Sequence, residues 1–535
     1  MNNQLWLLAT LLTGCVTVVK DDTGTVTDSD ADADSDADAD ADADADTDTD
    51  TTNDTGTLID VDGDGYGAAV DCDDNDENIN PGVDDLCDGI DNNCDSNIDD
   101  EAPATYAGAN YGTVDDAIAA AIAAGATSTG TGGPSPVTLC DGTHTITGVY
   151  VDAPLAITSV NGAAAATLTE GTGAAAFTMG SSSLSIDGVT LTGSALETIF
   201  ADDVTASINV ANSVITANGQ GIVGSDAILT ITVDGTEFGA NGDAASNRSG
   251  AGLSLTGCEG NVDVTNSSFH DNQALAGGAI YMSSGFAEMP LNLTDTTFTA
   301  NSSASDGGAI SYYQDGADLG SYSNIEMSGN VAAGRGGAAF ISGRGGTLTL
   351  ASTTITGNSG DVGGGIYASV VEIVGDNLSE ITNNTAYTNG GGVAGGAVFL
   401  SNVLVSTNQA LQGGGLHLDN SGLGGAPTLD NELTGVTVDS NTAETGAGLY
   451  LAGGTPASFD ATSIITLNTA SGLLQGGGAY VSANTSTLDS VDADWGSVAI
   501  GNDNSPDDVN TLSTNSYTFD DVSTFTCTGT GCNVP

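Results

Sequence analysis

The sequence predicts an all-β protein, a right-handed parallel β-helix of about 13–15 coils that follows an acidic linker and a small acidic loop module. Two observations predict the β-helix. Between Ile215 and Gly478 the chain repeats an apolar residue, two spacers and Asn, followed by a short polar gap, a Gly-rich step and an apolar pair. The Asn positions of these repeats lie 23 to 33 residues apart: Asn218, Asn241, Asn272, Asn301, Asn330, Asn358, Asn384, Asn408, Asn441 and Asn468.

Each repeat is too short to bury a core alone and must stack on its neighbours. Around each Asn the residues alternate with a period of two in short β-prone runs, such as Leu291-Asn292-Leu293, and no helical period is present. In such a coil the inward side chains stack on the same position one turn below. Asn can then hydrogen-bond to its copies above and below and tolerates the left-handed turn conformation, while Gly-Gly permits a tight turn.

Two repeats are nearly identical. Phe269-His270-Asp271-Asn272 leads to Gly277-Gly278-Ala279-Ile280, and Phe298-Thr299-Ala300-Asn301 leads to Gly307-Gly308-Ala309-Ile310. This pattern resembles the repeat of the chlamydial polymorphic outer membrane proteins, which are surface β-helices with adhesin roles. The resemblance implies a rod at a cell surface. In other repeats the Phe position holds Met327, Ile355, Ile381, Val405, Val438 or Ile465.

The N-terminal residues 1–15 indicate an exported protein. Leu5 to Leu12 is an apolar run too short to span a bilayer, and it ends in Leu12-Thr13-Gly14-Cys15. This resembles a bacterial lipobox, which implies that Cys15 is acylated and, with Val16 after it, that the protein is sorted to the outer membrane. The segment before Leu5 lacks Lys and Arg, which departs from that pattern. The alternative is an ordinary apolar terminus.

Residues 16–57 are predicted to form a disordered tether. Asp21 to Thr57 is almost pure Asp-Ala and Asp-Thr alternation, so it has little apolar surface and its like charges repel. Such a segment would hold the folded part clear of a membrane. The alternative is a low-affinity calcium sponge.

Residues 58–101 differ because their acids are regularly spaced. Asp60, Asp62 and Asp64 occupy loop positions 1, 3 and 5, Gly65 position 6, the Tyr66 carbonyl position 7 and Asp71 position 12, which is the ligand spacing of an EF-hand calcium loop. Because Asp71 replaces the usual bidentate Glu, we expect weak calcium affinity of extracellular grade. The alternative is a continuation of the linker. Further candidate ligands are Asp73, Asn75 and Asp76, which with Asp71 form a second loop, and Asp88, Asp91, Asn93, Asp95 and Asp99 in a third.

This segment also resembles a known motif. The runs Asp71-Cys72-Asp73-Asp74-Asn75-Asp76 and Cys87-Asp88-Gly89-Ile90-Asp91-Asn92-Asn93-Cys94-Asp95 are similar to the metal-binding motif named after the outer-membrane copper protein MopE. Copper prefers imidazole and soft ligands, and residues 58–101 contain no His. The carboxylate oxygens favour calcium.

Cysteine usage agrees with export. Seven cysteines follow Cys15, so not all can pair within one chain. Cys527 and Cys532 are predicted to bridge a terminal loop. Two of the three module cysteines, Cys72, Cys87 and Cys94, should form another bridge. We predict Cys87 with Cys94, although the connectivity with Cys72 cannot be read from the sequence. Cys140 and Cys258 are expected to be buried small hydrophobic residues.

The rod is predicted over residues 102–500, with a C-terminal cap over 501–535. Thr113 to Ala124 is Ala-rich, has an N-cap Thr and early acids, and is followed by Gly125, so it predicts a helix whose apolar stripe closes the open end of the rod. The runs Val137 to His144 and Leu155 to Val160 are predicted as opening coils. They are similar to the N-termini of pectate-lyase-like β-helices.

That similarity raises a catalytic alternative, a polysaccharide lyase or hydrolase. The chain has a net charge of −67 and only Lys20, Arg248, Arg335 and Arg344 as basic residues, which excludes nucleic acid as a partner. His144, His270 and His417 fall in different coils. We therefore expect a non-catalytic monomer that contacts surface glycans or another cell, in which Arg335→Ala and Arg344→Ala leave folding and binding intact.

Overall fold

The computed structural model describes sixteen stretches of the chain, all within the unit Leu58–Pro535. The predicted signal segment with Cys15 and the predicted tether lie outside them. The described residues are 60–85, 90–96, 102–125, 134–243, 245, 247–285, 288–421, 430–472, 476–482, 486–490, 493–496, 503–505, 507–511, 517–519, 526–528 and 531–533.

A cap precedes the rod. Strands Ala104–Tyr106 and Ala109–Tyr111 form an antiparallel hairpin, and the first of them also pairs with Val137–Leu139. The helix Val114–Gly125 follows, and Thr113 caps it, because its Oγ1 accepts from the Asp116 amide at 3.1 Å. The helix buries Val114, Ala117, Ile118 and Ala121. The predicted helix and its apolar stripe are confirmed.

From Val137 the chain forms a parallel β-solenoid of about thirteen turns, which confirms the predicted fold class. The turns contribute strands to three parallel ladders, which the long strands described below join into one continuous sheet; we name these ladders the first, second and third sheets in the order in which the chain meets them. The later turns add a short fourth sheet. Successive strands in a sheet pair in register, so equivalent residues stack from coil to coil.

The strands of each sheet are as follows. The first sheet contains Val137–Leu139, Leu155–Ser159, Ser183–Asp187, Thr205–Ala211, Ile228–Asp234, Glu259–Thr265, Leu291–Thr294, Asp318–Ser323, Asn431–Thr434, Pro456–Phe459, Thr487–Ser490 and Tyr517–Phe519. The second contains Gly142–Ile146, Ala166–Glu170, Thr190–Thr192, Val214–Thr216, Glu237–Gly239, Ser268–His270, Thr297–Thr299, Glu326–Ser328, Thr354–Thr356, Thr437–Asp439 and Ile464–Thr466. The third contains Val149–Val151, Phe177–Met179, Glu197–Asp202, Gln220–Ser225, Leu253–Thr256, Ile280–Gly285, Ile310–Gln314, Leu416–Leu418, Leu449–Leu451, Ala479–Val481 and Val509–Thr511. The fourth contains Gln273–Ala274, Ser302–Ser303, Val331–Ala332, Ser359–Val362, Thr385–Asn389, Gln409–Gln412, Thr442–Thr445 and Thr469–Ala470.

Three long strands run around corners and join several sheets. Ala339–Ala351 belongs to the third and first sheets, while Ile366–Thr382 and Val393–Ser406 belong to the third, first and second. The last parallel strands lie beyond residue 500, where the sequence placed the end of the rod. The chain closes with the antiparallel strands Thr526–Thr528 and Gly531–Asn533, the latter also pairing with Val509–Thr511.

The repeated Asn residues form one continuous buried ladder. Each Nδ2 donates to the Oδ1 of the Asn one coil further on, at 2.9 to 3.3 Å. The left-handed residue of this corner is the one before the Asn, for example Ala300 with φ of 55° before Asn301. The ladder was predicted, but the assignment of that conformation to Asn itself is wrong. The sequence also missed the last member, Asn504.

A second buried ladder, of hydroxyl groups, lies between the first and second sheets. Backbone amides donate to the Ser or Thr oxygen of the next coil, as Thr236 N does to Ser267 Oγ at 3.1 Å. This ladder was not predicted. Its buried members are Ser213, Thr236, Ser267, Thr296, Thr353, Ser379 and Ser463.

Apolar side chains fill the remaining interior. Phe238, Phe269 and Phe298 stack with ring centroids 4.6 and 4.9 Å apart, and Met327 follows Phe298 in register. The Gly-Gly turns are as tight as predicted, because a Cβ at Gly308 would lie 2.0 Å from the Gly337 carbonyl oxygen. Within the described stretches, no helix has the length and apolar character needed to cross a membrane.

Candidate metal site

The first acidic loop is folded by its own carboxylates. Asp60 Oδ1 accepts from the Gly63 amide at 2.6 Å, and Asp60 Oδ2 accepts from the Gly65 amide at 3.0 Å. Both glycines are left-handed, with φ of 87° and 101°, which favours Gly at these positions. The Tyr66 amide donates to Asp64 Oδ1 at 2.8 Å. These hydrogen bonds fix the conformation of the loop, and they leave the Oδ2 atoms of Asp62 and Asp64 without a hydrogen-bond partner.

Asp62, Asp64 and Asp71 form a carboxylate group. One ligand atom from each lies within 4.8 Å of the others. The Oδ2 atom of each has almost no accessible surface and no hydrogen-bond partner, and Asp71 is only 7% exposed. An ionised carboxylate oxygen that is shielded from water and has no hydrogen-bond partner is costly, so this group favours a bound counter-charge.

The pKa of Asp62 also favours a bound cation in this group. The pKa of Asp62 is raised, first by desolvation and then by the negative charges of Asp64, Asp71 and Asp60. Like charges at this distance disfavour ionisation, whereas a bound cation reverses the effect.

Asp74 extends the group. It lies with Asp60 and Asp62 in a second set of carboxylates within 4.8 Å, and its Oδ1 accepts from the Val61 amide at 3.2 Å. Asp74 was not among the predicted ligands, because it falls outside the spacing of the first loop. The fold brings it back onto that loop.

A separate group consists of Asp85, Asp91 and Asp95. Asp91 holds its loop as Asp60 does, accepting from the amides of Asp95 at 3.1 Å and Ser96 at 2.9 Å. Cys94 and Ser96 take the left-handed conformation here, with φ of 61° and 76°. Asp85, only 1% exposed, was not predicted, and its position before the loop gave no spacing signal.

The remaining predicted ligands lie elsewhere. Asp73, Asn75 and Asp76 form local turns outside the carboxylate groups, with Asn75 Nδ2 donating to Asp73 Oδ1 at 3.4 Å and the Asn78 amide to Asp76 Oδ1 at 3.1 Å. Asn93 Oδ1 accepts from the Asp95 amide at 2.9 Å. Asp88 and Asp99 lie outside the described residues.

A disulfide joins the two acidic regions. It links Cys72 to Cys94, with Cα atoms 5.7 Å apart, so the pairing of Cys94 with Cys87 is wrong. Cys87 lies outside the described residues. The bridge places the end of the first loop beside Asp91, since Cys72 Sγ lies 3.5 Å from the Asp91 carbonyl oxygen.

The other cysteines divide into three cases. Cys258 is free and buried, as predicted, and burial raises the pKa of its thiol. Cys140 is disulfide-bonded, which corrects its assignment as a simple hydrophobic residue. Cys527 and Cys532 face each other across the terminal hairpin by backbone register. Their side chains lie outside the description, so that bridge stays a prediction.

The module contacts the cap of the rod. Asn110 Nδ2, in the cap hairpin, donates to the Asp85 carbonyl oxygen at 2.6 Å. The same Asp85 accepts from the amides of Asn92 at 2.6 Å and Asn93 at 3.0 Å. The group of Asp85, Asp91 and Asp95 therefore lies directly against the cap at the start of the solenoid.

The residues considered for catalysis have structural partners. Arg335 Nη2 lies 2.7 Å from Asp306 Oδ2, and its guanidinium lies 4.5 Å above the Phe340 ring. This pair raises the pKa of Arg335. Because Arg335→Ala would remove the charged partner of Asp306, which is 8% exposed, we now expect this change to lower stability, whereas the sequence alone predicted that folding would stay intact. The Arg344 side chain lies outside the described residues.

The three histidines lie apart. His144 Nε2 is 2.9 Å from the Cys140 carbonyl oxygen, and His417 is buried on the third sheet. His270 lies between Asp271 and Glu237, each at 2.9 Å, and hydrogen bonding to Asp271 raises its pKa.

Two family models match parts of the chain. Residues 71–100 match the Cu-binding MopE metal-binding motif, and residues 295–312 match the Chlamydia polymorphic membrane protein repeat. No curated protein and no solved structure matches the chain significantly. The first match covers the disulfide and the Asp85, Asp91 and Asp95 group, and the second covers the repeat that contains Phe298 and Asn301.

Proposed function

We propose that this protein is a non-catalytic cell-surface lipoprotein in which a calcium-binding module stands at the base of a β-helical rod that serves adhesion or binding. The observation that carries the calcium site is the carboxylate group of Asp62, Asp64 and Asp71, in each of which the Oδ2 atom is inaccessible and without a hydrogen-bond partner. The match to a metal-binding motif in the same module supports it.

The donor set favours calcium over copper. Every ligand atom in the three groups is a carboxylate oxygen. The cysteines beside them are joined to each other and so offer no thiolate. Oxygen-only sites suit hard cations, whereas copper selects imidazole and sulfur.

The direct test is a calorimetric titration of the whole protein with calcium, magnesium and copper. We expect a calcium dissociation constant of about 10⁻⁴–10⁻³ M, as in extracellular modules. Asp71→Asn should weaken it at least about tenfold, because a charged ligand is lost. Asp73→Asn is the matched control, since Asp73 belongs to the same region but lies outside the carboxylate groups. Absence of heat with calcium, or tighter binding of copper, would reject the assignment.

The surface location is supported by two features. The lipobox-like run ending at Cys15 implies a lipid anchor, and the second family match is to a repeat of membrane proteins. Labelled palmitate should enter the wild-type protein and not Cys15→Ser, and extracellular protease should reach the rod on intact cells. A wild-type protein that incorporates no label would disprove the anchor.

The absence of catalysis is supported by the state of Arg335. A lyase base must be deprotonated before it can accept a proton from the substrate, but the pairing with Asp306 holds Arg335 protonated. Incubation with pectin, alginate and neutral glycans in calcium should give no shortened or unsaturated products. Products that disappear in Arg335→Lys, a variant that keeps a charge beside Asp306, would establish the enzyme in place of the binding protein.

A further inference from the structure

The outer face of the third sheet carries a row of stacked rings. Phe340 and Tyr367 stack at 5.3 Å with planes 2° apart, and Tyr313 packs on Phe340 at 4.8 Å. Further along, His417 and Tyr450 stack at 5.0 Å with planes 8° apart. The row therefore has two stacked parts, which follow the coil spacing of about 4.8 Å.

Between Phe340 and Tyr450, one position in this row has no ring. Backbone register runs from Phe340 to Tyr367, then to Ala394, then to His417 and Tyr450. Phe340 covers Tyr367 on one side and Tyr450 covers His417 on the other. Ala394 thus interrupts the stack between the two rings.

A cavity of about 270 Å³ opens beside the interruption. Tyr367 and His417 line it, together with the polar groups of Arg335, Asn389 and Asp419. Its volume is just below the usual range for ligand pockets, about 300–1,000 Å³, so it has room for one ring instead of a chain. Two aromatic walls with a few polar groups are the usual composition of a small-molecule site.

The charges around the cavity favour an uncharged ligand. Arg335 is paired with Asp306 at 2.7 Å but still places its guanidinium 4.9 Å from the Tyr367 ring, where it disfavours a cation. Asp419 would repel an anion. Burial lowers the pKa of His417 to about 4, so its imidazole is neutral at neutral pH.

We propose that this cavity binds one neutral sugar ring, whose C–H face packs against Tyr367 and His417 and whose hydroxyls hydrogen-bond to Asp419 and Asn389. A sugar ring offers an apolar face and an edge of hydroxyl donors and acceptors, which matches the two kinds of wall. The inference rests on the proposed binding role of the rod and gives that role a site and a ligand class.

Saturation-transfer NMR on the whole protein, kept in a chelator, tests the site separately from calcium. The probes are methyl glycosides of glucose, galactose, mannose and N-acetylglucosamine, with galacturonate and glucosamine as charged counterparts. We expect neutral glycosides to bind with dissociation constants on the order of millimolar. Tyr367→Ala and Asp419→Asn should each weaken binding about tenfold or more.

Tyr150→Ala is the matched control, because Tyr150 is 58% exposed in the first strand of the third sheet, many coils before the cavity, and does not line it. Asp419→Asn keeps the side-chain shape, so it tests the site even where Tyr367→Ala unfolds a coil. Binding that survives in folded Tyr367→Ala and Asp419→Asn would disprove the cavity while leaving a binding role for the rod. Preference for a charged sugar, or no binding of any neutral glycoside, would also overturn the inference. In that case, attachment of the wild-type protein to cells would show that the proposed binding function still stands.

Discussion

The acidic module and the rod keep their shape in opposite ways. Among the described residues of the module, the buried side chains are mostly polar, namely Asp71, Asn80, Asp85 and Asn92, with Ile79 as the apolar exception. The main apolar cluster of the rod reaches from Ala104 to Val509. The module is thus organised around charge and a disulfide, whereas the rod is organised around repetition.

This difference shows two solutions to the problem of a small local core. A segment of the module's size cannot bury enough apolar surface, so disulfides and metals commonly stabilise such segments. Each rod turn is equally small, but it shares its core and its buried amides with the turns on both sides. Mutations of buried rod residues should therefore change the free energy of unfolding more than the addition or removal of calcium does.

The largest effect is expected for Asn301→Ala. Asn301 Nδ2 donates to Phe269 O at 2.9 Å and to Asn330 Oδ1 at 3.0 Å, and its Oδ1 accepts from Asn272 N at 3.2 Å and Asn272 Nδ2 at 2.9 Å. Removal of this side chain leaves several buried groups without hydrogen-bond partners, at about 1–3 kcal/mol each. We therefore expect the free energy of unfolding to fall by about 3–6 kcal/mol. Denaturant unfolding measures it.

Asn324→Ala is the control for that change. Asn324 is exposed at another corner of the coil, and its Nδ2 contacts only the side chain of Asp295 among the described groups. We expect less than about 1 kcal/mol for it. Equal losses for the two variants would contradict the idea that the buried ladder stabilises the rod.

Phe298→Ala should follow closely. Phe298 is fully buried and stacks on Phe269 with centroids 4.9 Å apart, so its removal leaves a cavity inside the rod. The expected cost is about 3–5 kcal/mol. Thr299→Ala, at the exposed neighbouring position, should be nearly neutral. A loss below about 1 kcal/mol for Phe298→Ala would mean that the coils collapse onto the gap.

Repetition explains why the rod could be predicted from sequence. The Asn spacing identified ten consecutive ladder members because each follows an apolar strand residue at a fixed interval. Asn504 was missed because its coil places Trp495 beside the ladder, nine residues earlier, and Asn504 Nδ2 donates to the Trp495 carbonyl oxygen at 2.8 Å. The hydroxyl ladder was missed because Ser and Thr are common at all positions of this chain.

The site was less predictable for the opposite reason. Loop spacing identified Asp62, Asp64 and Asp71, which lie within one local turn of chain. Asp74 and Asp85 join the groups through folding of the whole module, and spacing carries no signal for that. Disulfide connectivity has the same limit, since Cys72 and Cys94 are 22 residues apart and three pairings were open within the module.

Acidification should have a smaller effect on the free energy of unfolding of the rod. Burial lowers the pKa of His417 to about 4, whereas an unfolded His has a pKa of about 6.5. The unfolded state then binds a proton that the folded state does not, so stability falls as pH falls below 6.5 and the loss is complete near 4. Between pH 7.5 and 5 we expect a loss of about 2 kcal/mol. Unfolding free energies of His417→Gln should lack this slope, and an unchanged slope would contradict the buried neutral imidazole.

The smallest effect should come from calcium, and it should be confined to the module. A site with a dissociation constant of about 1 mM gains about 1.4 kcal/mol at about 10 mM calcium. Because this free energy belongs to local opening of the acidic loops, hydrogen exchange should slow at amides that those carboxylates hold, such as those of Gly63, Gly65 and Asp73. Amides of the ladder, such as Asn301 N, should not change. Asp71→Asn should remove the protection and Asp73→Asn should retain it, whereas calcium protection that extended along the rod would show that the two regions unfold together.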